Sequence, residues 1–165
     1  MAILKGFVDS DVNEPELSGG NMKTYIAKTD DFQQKWFLVD LDGVTLGRAA
    51  IKVANILRGK NKPIFSPHMD TGDYVVVVNA SKVAVSGNKR LDKKYYRYSG
   101  YPGGLRETTF EKLLEKDASL VFTHAVKGML PKNRLGRQIL KKLHVYAGPD
   151  HRHEAQKPET LNLSE

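Results

Sequence analysis

The sequence predicts a single α/β domain in which crossover helices connect the strands of a parallel sheet. Two strand-forming runs, residues 36–39 and 74–78, flank an amphipathic helical pattern. The second run, Tyr-Val-Val-Val-Val, is apolar on both faces, which is typical of a central strand covered on each side. The order of strand, helix and buried strand therefore indicates a parallel sheet. A chain of 165 residues is long enough to bury one substantial core.

Short patterns predict the elements in the first half of the chain. Thr45 is expected to cap the first helix and Gly59 to end it. The apolar face of this helix consists of Leu46, Ala49, Ala50, Val53 and Leu57. Val83 and Val85 predict a short second strand. Residues 89–104 have few aliphatic side chains and are predicted to form a loop.

Three helices are predicted in the second half. Thr108 and Glu111 form a capping box that is expected to open the first of them. The second is expected over residues 120–126 and is ended by Gly128. The last helix is predicted from the spacing of Leu135, Ile139, Leu140 and Leu143.

Composition restricts the classes of function. There are 26 Lys and Arg against 19 Asp and Glu, which gives a net charge of +7 and a pI of about 9.5. This surplus indicates a polyanionic partner, either nucleic acid or an anionic membrane. The absence of cysteine excludes disulfides, a thiolate nucleophile and Cys-ligated metals. The apolar runs are far shorter than the ~20 residues of a membrane helix.

The first 22 residues differ in charge from the rest of the chain. They hold one lysine against four acids, a net charge of −3, so the remainder carries +10. Pro15 and the Ser-Gly-Gly of residues 18–20 also interrupt regular structure. These features predict a flexible acidic extension over residues 1–22 and a single α/β domain over residues 23–165.

Two segments concentrate positive charge. Residues 88–101 hold five basic residues, one acid and four of the seven tyrosines. Lys and Arg neutralise phosphates, and tyrosine rings stack on unpaired bases. A solvated edge strand is the alternative for this segment. Residues 127–146 hold six basic residues and no acid, which favours a helix that faces a polyanion; a merely solvated face is the alternative.

Catalytic patterns are weak. The Asp-Thr-Gly triplet of residues 70–72 matches an aspartic protease, but those enzymes need two such aspartates and an apolar strand before each. Asp70 and Asp73 are instead expected to accept backbone hydrogen bonds in a turn. Neither His68 with these aspartates nor the pair His151 and His153 has a defined metal spacing. No glycine-rich phosphate loop follows a strand, which argues against a nucleotide enzyme.

A series of short motifs runs in order from Met22 to Leu163. They are residues 45–48 (TLGR), 57–60 (LRGK), 67–73 (PHMDTGD), 85–89 (VSGNK), 101–104 (YPGG), 125–131 (AVKGMLP), 135–137 (LGR) and 145–148 (VYAG). Each motif is short, but the ordered set is specific, and it resembles the large-subunit ribosomal protein thirteen family in its bacterial form. Residues 151–158 resemble the terminal motif of that family.

The resemblance implies a three-layer α/β/α fold around a mostly parallel four-stranded sheet, with basic loop extensions. It also implies a structural constituent of the large ribosomal subunit that binds large-subunit ribosomal RNA and supports early subunit assembly. No catalysis, catalytic residue, cofactor or metal is expected. The residues expected to bind RNA are Arg48, Arg58, Lys60, Lys62, Lys89, Arg90, Lys93, Lys94, Tyr95, Tyr96, Arg97, Tyr98, Lys127, Lys132, Arg134, Arg137, Lys141 and Lys142.

The expected partners follow from the same resemblance. They are large-subunit ribosomal RNA and neighbouring large-subunit ribosomal proteins, with no membrane. The runner-up hypothesis is a regulator that acts away from the ribosome and binds messenger RNA, as in autoregulation, or another protein. The expected location is the cytoplasmic ribosome, and an organellar ribosome is equally consistent with the sequence.

Overall fold

The computed structural model describes residue 28 and residues 33–163. The predicted acidic extension, residues 1–22, lies outside the described residues. In chain order the elements are β1 (Trp36–Asp40), α1 (Leu46–Arg58), β2 (Tyr74–Val78), α2 (Lys89–Asp92), β3 (Lys94–Tyr98), β4 (Leu105–Thr109), α3 (Phe110–Lys116), α4 (Ala118–Met129), α5 (Arg134–Leu140), β5 (Leu143–Val145) and β6 (Glu159–Thr160). Two short 3-10 turns follow β2 and precede β6.

The main sheet has the strand order β5-β2-β1-β6, and all three pairings are parallel. The five residues of β1 lie in register with the five of β2, so the two longest strands form its centre. The predicted α/β class and the predicted four-stranded parallel sheet are therefore confirmed. Strands β3 and β4 form a separate antiparallel hairpin, which we call the β3–β4 hairpin.

One face of the main sheet is covered by helices. Val39, Val75 and Val77 are fully buried and belong to the same apolar cluster as residues of α1 and α4. Their alternation along the strands places them on a common face. Helix α1 ends as predicted at Gly59, whose φ of 75° is left-handed and whose N–H donates to carbonyls of the last turn. Thr45 occupies the N-cap position, but its side chain makes no capping hydrogen bond.

The other face of the sheet carries an aromatic cluster. Trp36 of β1 stacks on Tyr74 of β2, with ring centroids 4.4 Å apart and planes 7° apart. Trp36 also lies 5.7 Å from His144 of β5, and His153 lies 4.4 Å from His144. The largest cause that lowers the pKa of His144 is burial, and the nearby His153 lowers it further.

Several predicted elements differ from the structure. Residues 83–85 make only an isolated bridge, between Ala84 and Thr45, and the predicted second strand is wrong. The predicted loop of residues 89–104 contains α2 and β3. Thr108 lies in β4 and caps no helix, because pairing with β3 keeps the chain extended up to Thr109. In the residues that the structure describes, no helix is long and apolar enough to cross a membrane.

Candidate nucleic-acid interface

Two adjoining grooves bring together basic residues that lie far apart in the chain. The first, which we call the α1 groove, is lined by Arg48, Lys89 and Lys93. The second, which we call the α5 groove, is lined by Lys127, Lys132 and Arg137. Gly128 lines both grooves, so the six cations form one continuous surface. A Cβ at Gly128 would have no atom of the described residues within 4 Å, so this part of the junction is open.

The fold places the α1 groove at the carboxyl end of the parallel strands. Helix α1 begins there after the turn that follows β1, and the Leu46 N–H donates to the Ala84 carbonyl at 2.9 Å. This contact sets the segment that leads into α2 beside the first turn of α1. As a result Lys89 and Lys93 lie opposite Arg48. The first turn of α1 holds no acidic residue, so its positive helix end adds to the basic charge of the groove.

The α5 groove is shaped by a tight turn between α4 and α5. The Asn133 side chain caps α5 by accepting a 2.7 Å hydrogen bond from the Gly136 N–H. A Cβ at Gly136 would overlap the Pro131 carbonyl oxygen, so this position admits only glycine. The close packing fixes Lys132 and Arg137 on either side of the turn.

No Asp or Glu in the described part of the chain lines either groove. Among the described residues, none of the six groove cations forms an ion pair with Asp or Glu. Lys89 donates to the Ser86 hydroxyl at 3.1 Å, and the Lys93 ammonium lies 5.5 Å from the centre of the Tyr95 ring. Positive charges grouped without acids create a potential that attracts a polyanion.

The β3–β4 hairpin extends this basic surface. Tyr95 is half-buried at its base and lies 6.0 Å from the His124 ring, which connects the hairpin to the α5 groove. Burial raises the pKa of Tyr95. Tyr96 and Tyr98 are 60% and 63% exposed, so both rings are accessible to a base.

Two basic side chains near the hairpin are engaged with acids. Lys94 lies 3.0 Å from Glu107 across the hairpin, and this contact raises the pKa of Lys94. Arg90 lies 3.3 Å from Glu111 of α3. Both pairs are substantially exposed, and such pairs contribute little to stability. A phosphate could therefore displace either acid at a small cost.

Two of the predicted RNA-binding lysines have structural partners instead. Lys142 is 6% exposed, so its predicted place on the outer face of a helix is wrong. Its ammonium lies 2.7 Å from Asp70 and donates to the Gly72 carbonyl at 3.0 Å. The Lys62 ammonium lies 2.6 Å from the buried Asp73 and also donates to two carbonyls. An ammonium has three donors, so Lys62 has none left for a phosphate.

The predicted last helix is shorter than its apolar spacing suggests. Helix α5 ends at Leu140, and Leu143 begins β5. The Val75 N–H donates to the Lys142 carbonyl at 3.1 Å, so sheet pairing takes over directly after α5. The pairing of β5 with β2 and the burial of the Lys142 ammonium therefore override the helical pattern.

The Asp-Thr-Gly triplet lies at the amino end of the strands, next to the ion pairs of Lys62 and Lys142. A Cβ at Gly72 would overlap the Leu57 carbonyl oxygen, so the loop packs directly against the end of α1. Asp73 accepts a backbone hydrogen bond as predicted, but the donor is the Lys35 N–H just before β1, at 2.9 Å, and not a residue of its own turn. For Asp70 that prediction is wrong, because its carboxylate pairs with Lys142.

The remaining predicted residues lie outside the two grooves. Arg58 ends α1, ten residues beyond Arg48, which is about 15 Å along the helix axis. Lys60 is exposed just after it, and Lys141 is exposed at the amino end of β5. Arg134 is exposed in the first turn of α5. The structure therefore divides the predicted set between the two ends of the sheet.

Sequence reasoning missed Arg106. It lies in β4 directly opposite Arg97 of β3, and both are exposed. The available signal was the Pro-Gly-Gly of residues 102–104 between two polar runs, which is typical of a hairpin connection. The capping-box interpretation of Thr108 predicted a helix start where the hairpin signal predicts a strand.

The parallel sheet, its helices and the two grooves lined by basic residues define a small α/β protein whose surface charge suits a polyanion such as nucleic acid. A family model described as Ribosomal protein L13 matches residues 34–152. The large ribosomal subunit protein uL13 of Alkaliphilus oremlandii is 61% identical over 144 residues, which cover 86% of this chain and 99% of that protein. The proteins of the same name from Thermoanaerobacter sp. and Symbiobacterium thermophilum are 54% and 57% identical, with the same shares covered.

The chain belongs to the ribosomal protein L13 family. The family predicted from the ordered motifs is thereby confirmed. Members of this family are structural proteins of the ribosome and not enzymes, which agrees with the prediction of no catalysis.

Proposed function

We propose that this chain is a structural protein of the large ribosomal subunit that binds large-subunit ribosomal RNA through the α1 groove, the α5 groove and the β3–β4 hairpin. The observation that carries the proposal is the junction at Gly128, where six cations that form no ion pair among the described residues line two adjoining grooves. Family membership supports the ribosomal identity of the RNA. A single-stranded or looped region would also reach the exposed rings of Tyr96 and Tyr98.

The proposed contact set is smaller than the set expected from sequence. Lys62 and Lys142 are left out, because their ammonium groups are held by Asp73 and Asp70. The proposed phosphate contacts are Arg48, Lys89, Arg90, Lys93, Lys94, Arg97, Lys127, Lys132, Arg134 and Arg137. Arg58, Lys60 and Lys141 lie at the opposite end of the sheet and would contact a second RNA segment or a neighbouring large-subunit protein.

Salt dependence tests the proposal most directly. Each neutralised phosphate contributes about 0.7–0.9 to the log–log slope of affinity against salt, so the ten proposed phosphate contacts predict a slope of about −7 to −9. The probe is bacterial large-subunit ribosomal RNA made by transcription in vitro. An unrelated transcript of equal length serves as the control. A flat salt response, or equal affinity for both transcripts at physiological salt, would count against the proposal.

Crosslinking in purified large subunits tests the surface itself. We expect crosslinks from RNA to residues that line the two grooves and to the β3–β4 hairpin. The proposed role in early assembly predicts the same crosslinks in precursor particles that sediment more slowly than mature large subunits. A protein that stays away from large subunits in cell fractionation would instead support a regulator that binds messenger RNA.

A further inference from the structure

The β3–β4 hairpin places two arginines side by side. In the antiparallel register Arg97 lies directly opposite Arg106, so the two side chains leave the same face of the hairpin. Cβ atoms of residues opposite each other are about 4.5–5.5 Å apart, well within reach of two guanidinium groups. Both residues are exposed. Among the described residues, neither has an ion-pair or side-chain hydrogen-bond partner.

On one face of this hairpin a basic residue is paired with an acid, and on the other face the two basic residues are not. On the face that carries Tyr96 and Tyr98, Lys94 is neutralised by Glu107 at 3.0 Å. On the other face the neighbours of the arginine pair are Tyr95 and Thr108, which are also paired in register and carry no charge at neutral pH. Like charges directly opposite each other destabilise a hairpin. The pair therefore costs stability in the free protein without any compensating internal contact.

We propose that Arg97 and Arg106 together hold one phosphate group of the RNA backbone. Two guanidinium groups on one side of a rigid hairpin can direct several N–H donors to the oxygens of a single phosphate. The inference rests on the proposed function and adds Arg106 as a contact residue. The Tyr95 ring lies between this pair and Lys93, which lines the α1 groove. One RNA strand can therefore contact both the arginine pair and the α1 groove.

The first test compares thermal stability with RNA affinity, which a single variant should change in opposite directions. The R106E variant replaces a repulsive pair by an attractive one, so we expect its thermal midpoint to rise by about 1–2 °C. Its affinity for the large-subunit RNA transcript should fall at least about tenfold, because a carboxylate would then face the phosphate. Exposed Lys112 of α3 lines neither groove, and K112E is the matched control for the reversal of one charge. A midpoint that falls in R106E together with affinity would overturn the proposal in favour of a structural role.

The second test counts phosphates. If both arginines hold one phosphate, the R97A/R106A double variant should lower the salt slope by about 0.7–0.9, the value of a single contact. A decrease of about twice that value means two separate phosphates and overturns the shared site. The failure of the proposed function is distinguishable, because then the wild-type protein itself shows a flat salt response. If the wild-type salt response is steep and the arginine variants behave like K112E, only the Arg97–Arg106 assignment fails.

Discussion

The two ends of the main sheet both carry lysines, but these lysines have different surroundings. At the amino end Lys62 and Lys142 each lie within 2.7 Å of a carboxylate and donate to backbone carbonyls. At the carboxyl end Lys89 and Lys93 line an open groove, and among the described residues neither forms an ion pair. The same residue type thus stabilises the fold at one end and offers charge to a partner at the other.

The difference shows that partners rather than charge density decide what a basic residue does. A buried ammonium is tolerated only when its donors and charge are satisfied within the protein. An exposed ammonium without an acid is satisfied by water and remains available for exchange with a phosphate. Variants at the two ends should therefore separate stability from RNA affinity.

The largest effect is expected at Lys142. The K142M variant keeps the apolar length of the side chain but leaves Asp70 without its partner, so the free energy of unfolding should fall by about 3 kcal/mol. Urea denaturation measures this loss. RNA affinity of the folded protein at low temperature should stay within about twofold. The neighbouring K141M variant, at an exposed position, is the control and should unfold like the wild type. Equal stabilities of the two variants would contradict a structural role of Lys142.

The junction at Gly128 should show the reverse behaviour. Because a Cβ there meets open space within α4, the G128A variant should be more stable by about 0.5–1 kcal/mol. The G128E variant places a carboxylate between the two grooves, and its RNA affinity should fall at least about tenfold. Filter binding at fixed salt measures this, and G128Q separates the charge from the size of the side chain. If G128Q weakens binding as much as G128E, steric blocking explains the loss and not charge.

A smaller effect on stability is expected at Asp117. This residue is the N-cap of α4, and the other end of α4 lies beside the grooves. Its carboxylate caps α4 by accepting from the Ser119 N–H at 3.0 Å. The D117A variant should lose about 1 kcal/mol of stability and bind RNA unchanged, whereas D117N should keep the cap.

The contribution of Asp117 should also depend on pH in a defined direction. The hydrogen bond from the Ser119 side chain is the largest cause that lowers the pKa of Asp117 below 3.8. The charged cap therefore stabilises the fold above that pH, and its contribution is lost as the pH falls through the lowered value. The difference in stability between wild type and D117A should become smaller in acid. A difference of the same size at neutral pH and below the lowered pKa would exclude the carboxylate charge as its source.

The smallest effect is expected at His144. Its pKa in the folded protein is lowered below 6.5, so the unfolded chain binds a proton more readily. Stability should therefore fall as the pH drops below about 6.5 and level off below the folded pKa. The H144F variant keeps an aromatic ring beside Trp36 and should lose less stability between pH 7.5 and 5.5. Identical profiles of stability against pH for both proteins would contradict a lowered pKa of His144 in the folded protein.

Elements with strong local patterns could be predicted from the sequence. The apolar face of α1 and the continuous apolar run of β2 appear in short windows, and both elements lie where expected. Strands β5 and β6 have only three and two residues, so their stability comes from pairing with β2 and β1 far away in the chain. No local pattern reports such pairing.

The candidate site could be predicted only in part for the same reason. Runs of Lys and Arg indicated where charge concentrates, but not which cations the fold neutralises. Asp70, which pairs with Lys142, precedes it by about 70 positions. Arg48 and Lys127 line adjoining grooves that share Gly128, and only the packing of α1 against α4 brings these grooves together.

The last strand of the main sheet, β6, is also the last element to be synthesised. Strand β6 pairs Thr160 with Leu38, about 120 positions earlier, and both of its residues are exposed. Closing so long a loop costs entropy that two exposed residues recover poorly, so the strand depends on Leu163, which is buried in the core just after it. Every residue that lines the two grooves precedes Lys141 in the chain. A growing polypeptide therefore completes its basic surface before its sheet, and RNA capture need not wait for the final strand.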